Sequence, residues 1–148
     1  EVFGRGGVPL VEPYRCDDAE YIVVGMGSLT YQLRDVIETL RAEGHRIGVL
    51  GVRLYRPFPD AALAAALQGA RGVFVMEKAL SYGYEGALCS DVKSALYDHL
   101  ATLGPAPFVK GLVAGIGGRE IKTVDLADAL RSGLAGSIPE PNWIGIQL

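Results

Sequence analysis

The residues able to do chemistry gather in a few short segments. GMGS at residues 25–28 follows an apolar run and leads into a helical pattern. A glycine-rich turn of that kind can hold a phosphate on free backbone N–H groups. The dinucleotide fingerprint GxGxxG would need a third glycine where Thr30 stands. It would also need an acid at the end of the next strand, where Arg53 stands. The turn is therefore read as a tight strand-to-helix connection at Gly25 and Gly27, with Ser28 or Thr30 as the helix cap. The second glycine-rich segment is GIGGRE at 115–120. Gly117 and Gly118 can turn the chain against a neighbour. As a weaker reading, they and Arg119 could contact an anion.

Arg53, Tyr55 and Arg56 follow the second strand pattern, on the side where open α/β sheets take ligands. They could grip a phosphate or carboxylate. Arginine and tyrosine are also enriched at interfaces between subunits, and that reading is preferred. Glu77 and Lys78, just past the third strand, form a salt bridge or the edge of a site. His99 falls on the apolar stripe of a long helix and reads as a hydrogen-bonded core residue, and His45 as a solvated turn residue. Cys16 and Cys89 read as structural thiols. Their separation fits neither a zinc pattern nor a cluster-binding run. No GxSxG, HExxH or Walker sequence occurs.

The elements that position these residues follow from the apolar pattern. Short, β-branched apolar runs at 20–24, 47–54, 72–76 and 107–113 predict four strands. Helices are predicted over 30–43, over a short Ala-rich stretch capped by Asp60, over 86–102 and over 123–132. Strands that are apolar on both faces, alternating with helices, imply an α/β fold with a mainly parallel sheet between two helical layers. The core spans 19–133. Residues 1–18 read as a connecting arm and 134–148 as an extended arm carrying Trp143, which needs something to pack against.

Composition bounds the rest. The chain has 148 residues, one domain's worth, and 49% are hydrophobic. Its net charge is −3, with no basic block, so a nucleic-acid surface is not expected. No apolar run approaches a membrane span, and no membrane association is expected. Two cysteines suit a reducing cytoplasm. The opening EVFGRGG, without Met, is expected of a fragment or processed chain.

Four segments together carry a family resemblance: FGRGG with VEPYRCDDAEYIVVGMGS, then RAEGHRIGVLGVRLYRPFP, then VFVMEKALSYGYEGAL, then GIGGREI. Across residues 3–130 the chain resembles core domain II, the C-terminal part of the α subunit, of thiamine-diphosphate-dependent 2-oxoacid:ferredoxin oxidoreductases such as pyruvate:ferredoxin oxidoreductase. RPFP and GIGGREI are its most specific parts, although Asp is commoner in the family where Glu120 stands. The C-terminal domains of transketolase and of 2-oxoacid dehydrogenase β subunits share the GS turn and the R-P strand end but lack GIGGREI.

The resemblance implies a three-layer α-β-α sandwich like the transketolase C-terminal domain. It also implies a whole-complex reaction. A 2-oxoacid is decarboxylated on thiamine diphosphate, electrons pass through iron–sulfur clusters to ferredoxin, and the acyl group goes to coenzyme A. Thiamine diphosphate, its magnesium and the clusters are held by other domains or subunits. This domain is then a scaffold, with no catalytic residue and no metal ligand, in an oligomeric assembly. Arg53, Tyr55, Arg56 and Trp143 are its interface candidates, and Gly117, Gly118 and Arg119 its anion-contact candidates. Two other readings stay open. One is a stand-alone nucleotide- or CoA-binding α/β module. The other is the C-terminal domain of a transketolase or of the β subunit in a 2-oxoacid dehydrogenase.

Overall fold

Strand residues of this chain alternate between two apolar layers, and that alternation builds the fold. The computed structural model describes residues 7–99, 101, 104–137 and 143–145. Its strands are β1 (Val11–Tyr14), β2 (Tyr21–Met26), β3 (Ile47–Val52), β4 (Gly72–Glu77), β5 (Phe108–Ala114) and β6 (Trp143–Ile144). Its helices are α1 (Leu29–Ala42), α2 (Asp60–Leu67), α3 (Ala87–Asp98) and α4 (Thr123–Leu134), with a 3₁₀ turn at Ile116–Gly118. The sheet runs β1-β3-β2-β4-β5-β6. Every neighbouring pair is parallel except β1 with β3.

On one face Ile22, Val24, Leu50, Val73 and Val75 pack against Leu63 and Leu67 of α2 and Leu88 and Val92 of α3. On the other, Val23, Val49, Phe74, Met76 and Leu112 pack against Leu33, Ile37 and Leu40 of α1 and Leu126 and Leu130 of α4. These are the three expected layers. In α1 the buried positions Leu29, Leu33, Val36, Ile37 and Leu40 fall on one stripe at helical spacing.

Several local expectations are revised. Residues 11–14 fall in the stretch read as an arm, yet they add an antiparallel edge strand, with Val11 opposite Val52 and Tyr14 opposite Val49. Pro13 is tolerated because one side of an edge strand needs no donor. β3 stops at Val52, two residues early, because the N–H groups of Arg53 and Leu54 both turn to the carbonyl of Leu10. Asp60 is the first helical residue of α2, after Pro59, rather than its cap. Ser28 makes no side-chain cap. Thr30 Oγ1 instead donates to the Gly27 carbonyl at 2.7 Å. The long helix is shorter than predicted and ends with His99 at its C-cap. That imidazole is only half-buried, and its Nε2 lies 3.6 Å from Asp60 Oδ2, bridging α3 to α2. Ile144 packs into the α1–α4 layer. The rest of the predicted C-terminal arm at 138–142 and 146–148 lies outside the described residues.

The order of connections sets the place for a ligand. From β2 the chain crosses to β3 on one side, and from β3 it returns past β2 to β4 on the other. The reversal lies between β2 and β4, and open α/β sheets take ligands outside the carboxyl ends of strands at such a point.

Candidate functional site

The carboxyl ends of β2, β3, β4 and β5 form a rim that collects most of the residues singled out by sequence. At the centre is the junction of β4 with α3. The first N–H groups of any helix lack partners within it. In α3 the cap position is Gly86, which has no side chain to offer. The missing acceptor comes from Glu77, at the end of β4 and 8% exposed. Its Oε2 accepts the Leu88 N–H and its Oε1 the Cys89 N–H, both at 3.0 Å. A Cβ on Gly86 would coincide with this carboxylate. Gly86 has φ −66 and ψ 150, a backbone any residue can adopt, so only the carboxylate requires glycine there. Burial raises the Glu77 pKa above the usual carboxylate range and outweighs the two N–H bonds that lower it. Glu77 is thus a helix cap reaching in from the sheet, and no ion pair with Lys78 is formed among the described residues.

Between β4 and α3 the chain makes a tight turn. Tyr84 N–H donates to the Ser81 carbonyl at 3.0 Å, and Ser81 N–H to the Glu85 carbonyl at 3.1 Å. Gly83 sits third in this turn with φ +72, the left-handed geometry a type II turn requires. Beyond it the Glu85 carboxylate accepts Ser90 Oγ at 3.2 Å and Cys89 Sγ at 3.3 Å, and pairs with Lys93. Burial first, and then the Glu85 carboxylate, pushes the Cys89 thiol up to about 12. Cys89 is therefore a thiol donor in the packing, although it lies at a helix N-terminus.

At the β3 end, Glu12 of β1 accepts Arg53 Nη1 at 2.7 Å and Arg34 Nη2 at 2.6 Å. Arg53 and Arg34 hold its carboxyl below the usual range. The Arg34 guanidinium also lies 5.0 Å from the Tyr14 ring centroid and 4.9 Å from that of Tyr31. Arg56 turns elsewhere. Its Nη2 donates to Asp91 Oδ2 of α3 at 2.8 Å, and its guanidinium stacks 4.0 Å over the Tyr55 ring. Tyr55 meets Phe58 edge-on at 5.9 Å. Arg53 and Arg56 therefore serve different carboxylates and do not form one grip.

Two hollows lie along this rim. One of about 290 Å³ is lined by Glu12, Met26, Gly27, Thr30, Tyr31 and Arg53. The other, about 260 Å³ at the reversal point, is lined by Met26, Gly27, Met76, Glu77, Lys78 and Ala79. Met26 and Gly27 belong to both, so the hollows adjoin.

The remaining candidates lie apart. Gly117 and Gly118 are exposed, with φ +69 and +78. Arg119 Nη1 reaches the Gly145 carbonyl at 3.4 Å, which ties the loop to the segment after β6. Trp143 lies on the β6 edge beside a third hollow of about 290 Å³ with Asp125, Asp128 and Ser132, across the sheet from Arg53. Among the described residues no group of three His, Cys, Asp or Glu side chains is placed to hold a metal ion. No helix there is long and apolar enough to cross a membrane.

The sequence offers Glu77 and Lys78 as a salt bridge or as the edge of a site; both line the second hollow, and Glu77 bonds to backbone N–H groups rather than to Lys78. The available signal was a strand-end acid followed by a glycine immediately before an uncapped helix. Glu12 and Asp91 were missed because their arginine partners are 41 and 35 residues away in the chain.

The profile of pyruvate:ferredoxin oxidoreductase core domain II matches residues 19–126. The chain is 37% identical to pyruvate synthase subunit PorA of Thermotoga maritima, over 99% of its own length and 37% of that protein. It is 40% identical to PorA of Methanosarcina barkeri, over 88% of its length and 32% of that protein. Against ketoisovalerate oxidoreductase subunit VorA of Pyrococcus abyssi it is 35% identical, over 85% of its length and 31% of that protein. The chain spans about a third of these relatives. Among solved structures, 2-oxoglutarate:ferredoxin oxidoreductase from Magnetococcus marinus superimposes with a TM-score of 0.56 at 17% identity, over 88% of this chain and 20% of that one. A split-gene transketolase β4 tetramer gives 0.54 at 20% identity, over 82% of this chain and 40% of that one. At those identities the two structures speak for the fold alone.

Proposed function

The chain belongs to the pyruvate:ferredoxin oxidoreductase core domain II family, and from that premise we propose that it is an assembly domain of a 2-oxoacid:ferredoxin oxidoreductase. In this reading the whole protein oxidatively decarboxylates a 2-oxoacid such as pyruvate to its acyl-CoA and passes electrons to ferredoxin. Thiamine diphosphate, magnesium and iron–sulfur clusters reside in other domains or subunits, in a cytoplasmic oligomer. Arg53, Tyr55, Arg56 and Trp143 serve at interfaces. Gly117, Gly118 and Arg119 form the connection to the β6 edge.

One observation carries this assignment. The acids and the buried thiol of the rim are each occupied in holding the domain together: Glu77 on α3, Glu12 between two arginines, Cys89 on Glu85. These bonds give each group a structural task within the domain, and that supports a scaffold reading. The donor set does not fit an iron–sulfur cluster either. The two thiols sit apart, Cys16 donating to the Val49 carbonyl at 3.3 Å and Cys89 to Glu85, and neither is joined by further ligands among the described residues.

Calorimetry on the purified chain tests the reading. Thiamine diphosphate with Mg²⁺, NAD(P), ATP and coenzyme A should each give no binding heat at micromolar concentrations. Micromolar binding of thiamine diphosphate would overturn the assignment, and binding of a nucleotide or coenzyme A would favour a stand-alone module.

A further inference from the structure

At the β1–β3 end of the rim the charges do not balance. Two guanidinium groups, those of Arg34 and Arg53, share the single carboxylate of Glu12. Arg34 takes its Oε1 and Arg53 its Oε2. No second carboxylate meets Arg53 among the described residues, and its side chain is 41% exposed. The trio therefore carries a surplus positive charge. Its two cations differ in their surroundings. Arg34 is held between the Tyr14 and Tyr31 rings. Arg53 lines the hollow of about 290 Å³, together with Glu12, Met26 and Tyr31. A surplus charge at the wall of a hollow attracts an anion, and a guanidinium fork matches the geometry of a carboxylate.

The border of this hollow is apolar. Leu10, Met26, Tyr31 and Leu54 are all large hydrophobic side chains left exposed. Met26 and Tyr31 line the hollow beside Arg53. Leu10 and Leu54 adjoin Arg53 through the backbone, since the Leu10 carbonyl accepts the N–H groups of both Arg53 and Leu54. Single exposed apolar side chains are ordinary, whereas several gathered about one arginine mark a contact surface. Tyr31 is also steadied, because the Arg34 guanidinium lies 4.9 Å from its ring centroid. Arginine, tyrosine and methionine around a hollow have the composition of an interface core.

We infer that this hollow receives one carboxylate side chain, flanked by apolar residues, from a separate subunit of the oxidoreductase. Arg53 binds the carboxylate, the Tyr31 hydroxyl donates to it, and Leu10, Met26 and Leu54 cover its apolar flanks. The inference rests on the assembly reading above. The occupant is a separate subunit because the relatives that contain this domain are themselves named as subunits. Charge complementarity fixes its chemistry. A lysine or arginine would meet the surplus charge already there, and an uncharged side chain would leave Arg53 covered without a full partner.

The test uses the assembled oxidoreductase and two substitutions that break the same internal ion pair. Arg53→Gln removes the cation and should raise the dissociation constant of the assembly about tenfold, the scale of an interface anchor. Glu12→Gln leaves the cation in place, and the assembly should be as tight as wild type or tighter. No weakening by Arg53→Gln, or equal weakening by both, overturns the proposal, because an ion pair acting only through the fold would be lost in either variant. Crosslinking identifies the occupant. The photo-crosslinker p-benzoylphenylalanine at position 54, beside the hollow, should give adducts to a separate subunit close to an Asp or Glu, as mapped by mass spectrometry. Adducts only within the same polypeptide or to a second copy of it, or an intact assembly with no adduct, overturn the docking site and leave the assembly reading standing. Purification of the unsubstituted protein without any oxidoreductase partner overturns the assembly reading, and the docking site with it.

Discussion

At the β1–β3 end of the rim, Glu12 lies between two guanidinium groups, part-exposed, with its carboxyl held below the usual range. At the β4–α3 end, Glu77 is buried, meets only backbone N–H groups, and has its carboxyl raised. The same functional group, on neighbouring parts of one sheet, is driven in opposite directions. Opposite charge favours the ionised form, whereas removal from water disfavours it, and two hydrogen bonds do not make up the difference. The two acids therefore hold the fold differently. Glu12 fastens an edge strand through flexible, solvated side chains, and Glu77 fixes a helix to a strand through rigid backbone.

The largest expected effect is at Gly86. Gly86→Ala places a methyl group on the Glu77 carboxylate, which must swing away and give up the Leu88 and Cys89 N–H groups. The loss should be about 3 kcal/mol, the upper part of the range for overpacking a buried site, read from urea denaturation. A loss below about 1 kcal/mol, within ordinary helix-cap effects, would show that the clamp is soft.

Next is Glu77→Gln, which turns one accepting oxygen into an amide donor facing an N–H group. A loss of about 1–2 kcal/mol is expected, the cost of leaving a buried donor unmatched. Its pH dependence separates the two regions. The folded state holds the Glu77 proton more tightly than the unfolded chain does. This group's contribution is therefore complete below the ordinary carboxylate range and lost as pH rises through its raised value. The advantage of wild type over Glu77→Gln should shrink with rising pH across that window. An advantage that grows with pH would place Glu77 in the same class as Glu12.

Glu12→Gln should have the smallest effect, about 0.5–1 kcal/mol, as expected for solvated ion pairs. Its sign is opposite. The lowered pKa gives stability that is present above the ordinary carboxylate range and lost as pH falls through the lowered value. Denaturation of Glu12→Gln over that acid range should lack this component. The effect should also fade in high salt, where Glu77→Gln should not change.

The strands β2 to β5 and the four helices were legible because their apolar residues repeat at periods the backbone imposes, as at Leu33, Val36, Ile37 and Leu40. Edge strand β1 was not, because four residues containing Pro13 have no such period and form a strand only beside β3. The arginines at 53 and 56 were visible as chemistry-bearing residues, but their separate engagement with Glu12 and Asp91 was not. Nothing local distinguishes a guanidinium that will be neutralised by a distant carboxylate from one left open to a ligand.

Sequence alone determined the α/β class, the parallel core, the family resemblance and the absence of a cluster-binding cysteine run, since each is a matter of spacing along the chain. The tertiary structure decided what each titratable group does. It joined Glu77 to α3, Glu12 to two arginines and Cys89 to Glu85. Charge and solvation depend on distance through space, and a chain folded into three layers brings together residues that its linear order keeps apart.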